Sequence, residues 1–260
     1  MKVKKNEILR NILLILIVSV FAFPLIYMLA TSLEGNGYKN YISALTTINL
    51  GRYLINSSIV AVSTVILVCM VSIPAAFSFS KLKFPFKKYI FILILITMMI
   101  PSISIVVPLV KIMRSFDLFN NYLSLILVYA ALNAPISLIL AKGFMDQLPE
   151  ELMEASLIDG CSIYRSFFNI FLPLSKPIVG IVIVLTSLAS WNEFLLAKIF
   201  MSKENMEMVT TIPIKFQNNF YTDVPGLFAA LVIIQIPIVI LYLFFQRFLL
   251  EGLTAGAVKG

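Results

Sequence analysis

The sequence predicts an all-α integral membrane protein with six transmembrane helices and a pair of short helices on its cytoplasmic side. Three observations predict it. The chain is 60% hydrophobic and only 13% charged, whereas soluble domains carry about 25% charged residues. Six apolar stretches are each long enough to cross a hydrocarbon core about 30 Å thick, which takes roughly 20 helical residues. Lysine and arginine gather in alternate connections between those stretches, as the positive-inside rule requires.

The stretches fall near 11–31, 55–79, 89–112, 122–142, 177–199 and 226–249, so residues 1–260 read as a single transmembrane domain. The first follows Lys2, Lys4, Lys5 and Arg10 and outruns the apolar region of a signal peptide, which makes it an uncleaved anchor. The third and fourth are parted by a turn close to Lys111, Arg114 and Asp117. With the N-terminus inside, 13 basic residues lie on the cytoplasmic side and 7 opposite, the bias resting on Lys2 to Arg10 and on Lys81, Lys83, Lys87 and Lys88. Both termini are then cytoplasmic, in a multi-pass cell (inner) membrane protein. Pro24, Pro74, Pro101, Pro108, Pro135 and Pro237 fall within or at the ends of spans, where each removes a backbone donor and can kink its helix.

The connection over 143–176 carries the punctuation of two helices. Pro149 suits a first helical position, Glu150 and Glu151 suit the positive end of the dipole, and Gly160 suits a left-handed closing residue. Ser162 can cap a second helix that ends before Pro173. In that helix Ile163, Phe167, Ile170 and Phe171 form an apolar stripe. Such a stripe packs on the protein's own spans or enters a partner's groove.

Enzyme chemistry has little to work with. Histidine is absent, no metal-ligand cluster or catalytic motif occurs, and Cys69 and Cys161 have no disulfide-framework spacing. The sequence calls for no cofactor and no metal. The net charge of +7 tracks membrane topology and gives no reason to expect nucleic acid. A phosphate-binding G-x-x-x-x-G-K-[ST] loop is also missing.

Glu154-Ala155-Ser156, Asp159-Gly160 and then Ile170-x-Leu172-Pro173 resemble the EAA loop of ABC importer permeases, with Ser156 standing where that family often has alanine. Asn56-Ser57, the Ala75 to Ser80 run, Trp191-Asn192-Glu193-Phe194 and the ending Gly252 to Gly260 are similar to the MalG-like permeases of carbohydrate importers, whose family is the binding-protein-dependent transport inner-membrane component. The resemblance implies an importer of a sugar or oligosaccharide. This chain would pair with a second permease and couple through Glu154, Ala155, Ser156, Asp159, Gly160, Ile170, Leu172 and Pro173 to two cytoplasmic ATPase subunits. It would receive its solute from an extracellular sugar-binding protein, near the connection over 200–225.

Glu193 is the acidic residue inside a predicted span and, with Trp191 and Asn192, is a candidate for the substrate pathway. The opposing reading makes Glu193 a hydrogen-bonded structural carboxyl and Trp191 an interfacial anchor. Two other functions stay open: a permease of the same architecture for a non-sugar solute, and a self-sufficient secondary transporter. The latter would need an ion-coupling site, and chains of buried Asp, Glu or His are scarce here.

Overall fold

A computed structural model of the chain describes residues 2–47, 49–216 and 223–257, with side-chain surroundings for 7–46, 49–216 and 223–248. Among the described residues every regular element is helical. The helices are α1 (Lys2–Ser32), α2 (Lys39–Thr47), α3 (Leu50–Lys81), α4 (Lys87–Thr97), α5 (Val106–Ser115) and α6 (Tyr122–Met145). They continue as α7 (Glu151–Ile158), α8 (Ile163–Leu174), α9 (Lys176–Asn192), α10 (Leu195–Phe200), α11 (Ile212–Lys215) and α12 (Val224–Ala257).

Among the described residues four helices are uninterrupted and apolar enough to cross a membrane: Glu7–Ser32 within α1, Leu50–Lys81, Tyr122–Met145 and Val224–Phe248 within α12. Two bent pairs raise the count to six if each is one span. α4 and the segment Ser102–Ser115 meet at 91°, and α8 and α9 meet at 75°. Over the stretch near 89–112 read as the third span, the helix is interrupted after Thr97 and resumes at Ser102. Pro101 has no N–H, and its ring opposes the carbonyl four residues back, at Thr97. The preceding Ile100 is pushed out of helical conformation. In the stretch near 177–199 read as the fifth span, the helix stops at Asn192, the chain is extended at Glu193, and a short helix follows over Leu195–Phe200. Pro24, Pro74, Pro135 and Pro237, by contrast, lie within continuous helices.

The chain divides into two compact units. The smaller comprises Met1–Arg52 and Ile212–Ile236. Its α1 exposes apolar side chains on all sides, only 6% of its most apolar window being buried, as suits a helix surrounded by lipid. Asn40 closes the turn after α1 by donating to the carbonyls of Ser32 and Glu34 at 3.0 and 2.8 Å. Tyr27 meets Phe228 edge to face with ring centroids 6.0 Å apart.

The larger unit comprises Tyr53–Thr211 and Pro237–Gly260. Its interior is built on α3, α6 and α9 and has two centres. One gathers Val68, Phe77, Ala141, Met145, Phe171 and Val182; the other gathers Val60, Leu125, Tyr129, Ala197, Phe200 and Met208. α3 is 32 residues long, roughly 48 Å at the helical rise, so these centres lie toward opposite poles. Against α3 and α6 the broken third span leaves a cleft of about 740 Å³, with Val71, Ser72, Thr97, Met98, Leu127 and Pro135 on its walls. Backbone freed at such a break is tolerated at membrane depth where it is buried in protein or faces a cavity.

Candidate functional site

At one pole stands the α7–α8 pair. α7 begins at Glu151, two residues after Pro149, with Glu150 preceding it in helical conformation and no side-chain cap. It closes in a Schellman motif. Gly160 adopts φ +75°, its N–H reaches the carbonyl of Leu157 at 3.1 Å, and the N–H of Cys161 reaches that of Ser156 at 2.9 Å. These bonds satisfy carbonyls that a helix end leaves without partners. Ser162 then caps α8 by accepting from the N–H of Arg165 at 3.3 Å.

α8 does not end before Pro173, where the sequence reading ended it, but continues to Leu174. The turn over Phe167–Phe171 widens, and the N–H of Leu172 donates to the carbonyl of Phe167, five residues back. Regular spacing resumes where Ser175 N–H meets Phe171 O at 2.9 Å. A proline deprives the carbonyl of Asn169 of its donor, and a widened turn accommodates that misfit.

The predicted stripe turns inward. Phe167 and Phe171 are buried and pack on Phe77 of α3, with ring centroids 5.2 and 5.1 Å away. Ile170 is partly buried beside them, while Ile163 is 44% exposed. Of the two readings of that stripe, packing on the protein's own spans is the one observed. Lys81, at the end of α3, adds a donor to the carbonyl of Leu148 at 2.6 Å and stands over the Phe171 ring at 5.8 Å. The pair is thus fastened to α3 on one side and runs directly into α9 on the other.

A different face is left bare. Leu157, Ile158, Tyr164 and Phe168 are 50, 86, 79 and 58% exposed, and Glu154, Ala155, Asp159, Gly160 and Pro173 are exposed with them. Leu172 is partly buried. Periodicity singled out the buried stripe and missed this apolar face, whose residues straddle the turn and come from both helices. Ser166 was also missed; its hydroxyl lies 2.8 Å from that of Ser156 inside the pair.

At the opposite pole of α9, Glu193 is engaged by its surroundings. Its carboxylate accepts from the N–H groups of Leu196 and Ala197 at 2.9 and 3.0 Å and from the Tyr129 hydroxyl at 2.7 Å. Its carbonyl accepts from Thr210 at 2.9 Å. It therefore satisfies the opening of α10, the role that caps play at helix N-termini. Trp191 is buried, with its indole N–H unpaired, and Asn192 is exposed. Among the described residues no group of three or more His, Cys, Asp or Glu is placed to hold a metal ion.

Residues 69–254 match the family described as binding-protein-dependent transport system inner membrane component. The chain is 34% identical to the trehalose/maltose transport system permease protein MalG of Thermococcus litoralis, over 98% of this chain and 99% of that one. It is 32% identical to the sulfoquinovosyl glycerol transport system permease protein SmoH of Agrobacterium fabrum, over 92% and 89%. Its fold matches a chain of a bacterial ABC transporter involved in the import of the acidic polysaccharide alginate, with a TM-score of 0.81 at 18% identity and coverage of 94% and 96%.

Proposed function

Because the chain belongs to the family of binding-protein-dependent transport inner membrane components, the membrane permeases of ABC transporters, we propose that it forms half of the sugar-conducting path of an ATP-driven importer. A second permease completes the path. Two cytoplasmic ATPase subunits drive it through the α7–α8 pair, and an extracellular sugar-binding protein delivers a sugar or oligosaccharide at the other pole. The spans lie in the cell (inner) membrane with both termini cytoplasmic; the last three residues of the glycine-rich C-terminal tail, 258–260, lie outside the described region.

The observation that carries this reading is the bare face of Leu157, Ile158, Tyr164 and Phe168 on a pair otherwise bound to the spans. Large apolar side chains left exposed together on one short helix pair are the kind of surface that a partner covers. An amphipathic helix seated in a groove is a common way to make one. Because α8 continues into α9 after a single residue, Ser175, a push on the pair is delivered to a span without slack.

Sugar as the solute is supported by the relatives, which are named for transport of disaccharides and of a glycosylated glycerol. Along the path, Asn192 is the exposed polar side chain of the 191–193 turn and can reach a solute, while Glu193 holds that turn in place through its hydrogen bonds. Purifying the assembled complex, identifying its subunits and measuring ATP-dependent uptake of a panel of oligosaccharides into vesicles tests the proposal. Uptake that needs both ATP and a binding protein is the expected result. Uptake by this chain alone, driven by an ion gradient, would refute it.

A further inference from the structure

We infer that Glu207 and Asn56 are positioning residues that hold the segment 201–211 in advance as a rigid ridge on which the sugar-binding protein seats. The inference rests on the importer reading above. The segment lies at the pole of α9 opposite the α7–α8 pair, and Ser202, Lys203, Glu204 and Asn205 form its exposed crest.

Its base is fixed by side chains from two spans. Asn56 of α3 donates to the carbonyls of Asn205 and Glu207 at 3.1 and 2.9 Å, and its own carbonyl oxygen accepts from the Tyr122 hydroxyl of α6 at 2.7 Å. The Glu207 carboxylate is buried, 4% exposed. It accepts from Tyr53 at 2.9 Å and pairs with Lys198 at 3.2 Å. Ser57 accepts from the N–H of Val209 at 3.0 Å. At the other end of the crest, Asn120, at φ +57°, accepts from the N–H groups of Ser202 and Lys203 at 2.7 and 3.0 Å. A buried carboxylate is retained only where it is paired and hydrogen-bonded, and here the carboxylate belongs to the loop while its partners include the start of α3.

The consequence is kinetic and thermodynamic. A loop that must be ordered when its partner arrives loses affinity to conformational entropy, about tenfold for each residue's worth of backbone order. Preordering removes that loss. The clamp also joins the crest to α3 and α6, the two helices whose far ends meet the α7–α8 pair through Lys81 and Met145.

Hydrogen–deuterium exchange on the assembled importer, together with uptake titrated against the binding protein that supports it, tests the inference. In the parent the amides of Ser202, Lys203 and Val209 exchange slowly. Asn56→Ala and Glu207→Ala speed their exchange, leave the spans protected, and raise the half-saturating concentration of binding protein about tenfold. The rate at saturating binding protein stays within about twofold. Glu207→Gln retains an acceptor for Tyr53 and restores most of the parent's behaviour. Unaltered exchange in both alanine variants overturns the clamp. Faster exchange with an unaltered half-saturating concentration overturns its role in docking. A parent complex whose uptake ignores the binding protein overturns the importer reading itself, which separates the two failures.

Discussion

The hydroxyl oxygens of Ser156 and Ser166 lie 2.8 Å apart in the buried seam between α7 and α8. Each is also within reach of a carbonyl in its own helix, Met153 at 2.8 Å and Ser162 at 3.1 Å. Two hydroxyls have two protons for these three bonds. One serine therefore donates across the seam while the other bonds its own helix. Ser156→Ala and Ser166→Ala are each expected to lower stability by about 1 kcal/mol, and the double variant by little more than one single change. Thermal unfolding of the four proteins in detergent checks this, and additive losses would show that the hydroxyls act separately.

Gly160 meets no atom within 4 Å of a built Cβ, so the cost of substituting it comes from φ +75° alone. The left-handed region costs an alanine roughly 1 kcal/mol and a β-branched residue more, whereas asparagine tolerates it. Coupling of ATP hydrolysis to uptake should therefore fall in the order Gly160, Gly160→Asn, Gly160→Ala, Gly160→Val, with all four chains inserted to the same extent. A flat series would remove the turn from the coupling pathway.

Gly180 of α9 presents the opposite case, because its added Cβ would lie 2.7 to 2.8 Å from Phe248 of α12. Gly180→Ala is expected to cost about 1–3 kcal/mol, the usual range for overpacking. Phe248→Leu should recover part of it. The thermal midpoints of the two single variants and the pair decide the matter.

At Glu193, an alanine leaves the N–H groups of Leu196 and Ala197 and the Tyr129 hydroxyl without their acceptor. Glu193→Ala should cost about 2–4 kcal/mol and Glu193→Gln about half as much, since an amide oxygen replaces only part of the acceptor set. Equal unfolding midpoints for both variants and the parent would contradict the capping role.

Much of this architecture was legible because lipid demands long apolar helices, and the apolar runs locate α3, α6 and α12, although α3 begins at Leu50, ahead of Arg52, and α12 runs on past Arg247 and Glu251 to Ala257. The breaks at 98–101 and at Glu193 were not. Apolar residues continue on both sides of each break, and the proline at 101 signals a kink without giving its 91° size. In the α7–α8 pair, Gly160 and Ser162 announced their conformations through residue type. The apolar face of Ile158 and Tyr164 did not follow from helical periodicity, because it crosses from one helix to the next over the turn. Nor did the clamp around Glu207, whose partners Tyr53 and Asn56 are about 150 residues away.

The most direct measurement of the central claim places a charge on the bare face. Ile158→Glu and Tyr164→Glu alter side chains that are 86 and 79% exposed, so the fold and membrane insertion of the chain should be preserved. Introducing an unpaired carboxylate into an apolar contact typically costs several kcal/mol. The account predicts that the variant chains accumulate in the membrane and assemble with the second permease, while the ATPase subunits no longer co-purify and ATP-driven uptake is lost. Retention of the ATPase subunits and of uptake at parental levels in both variants would contradict it.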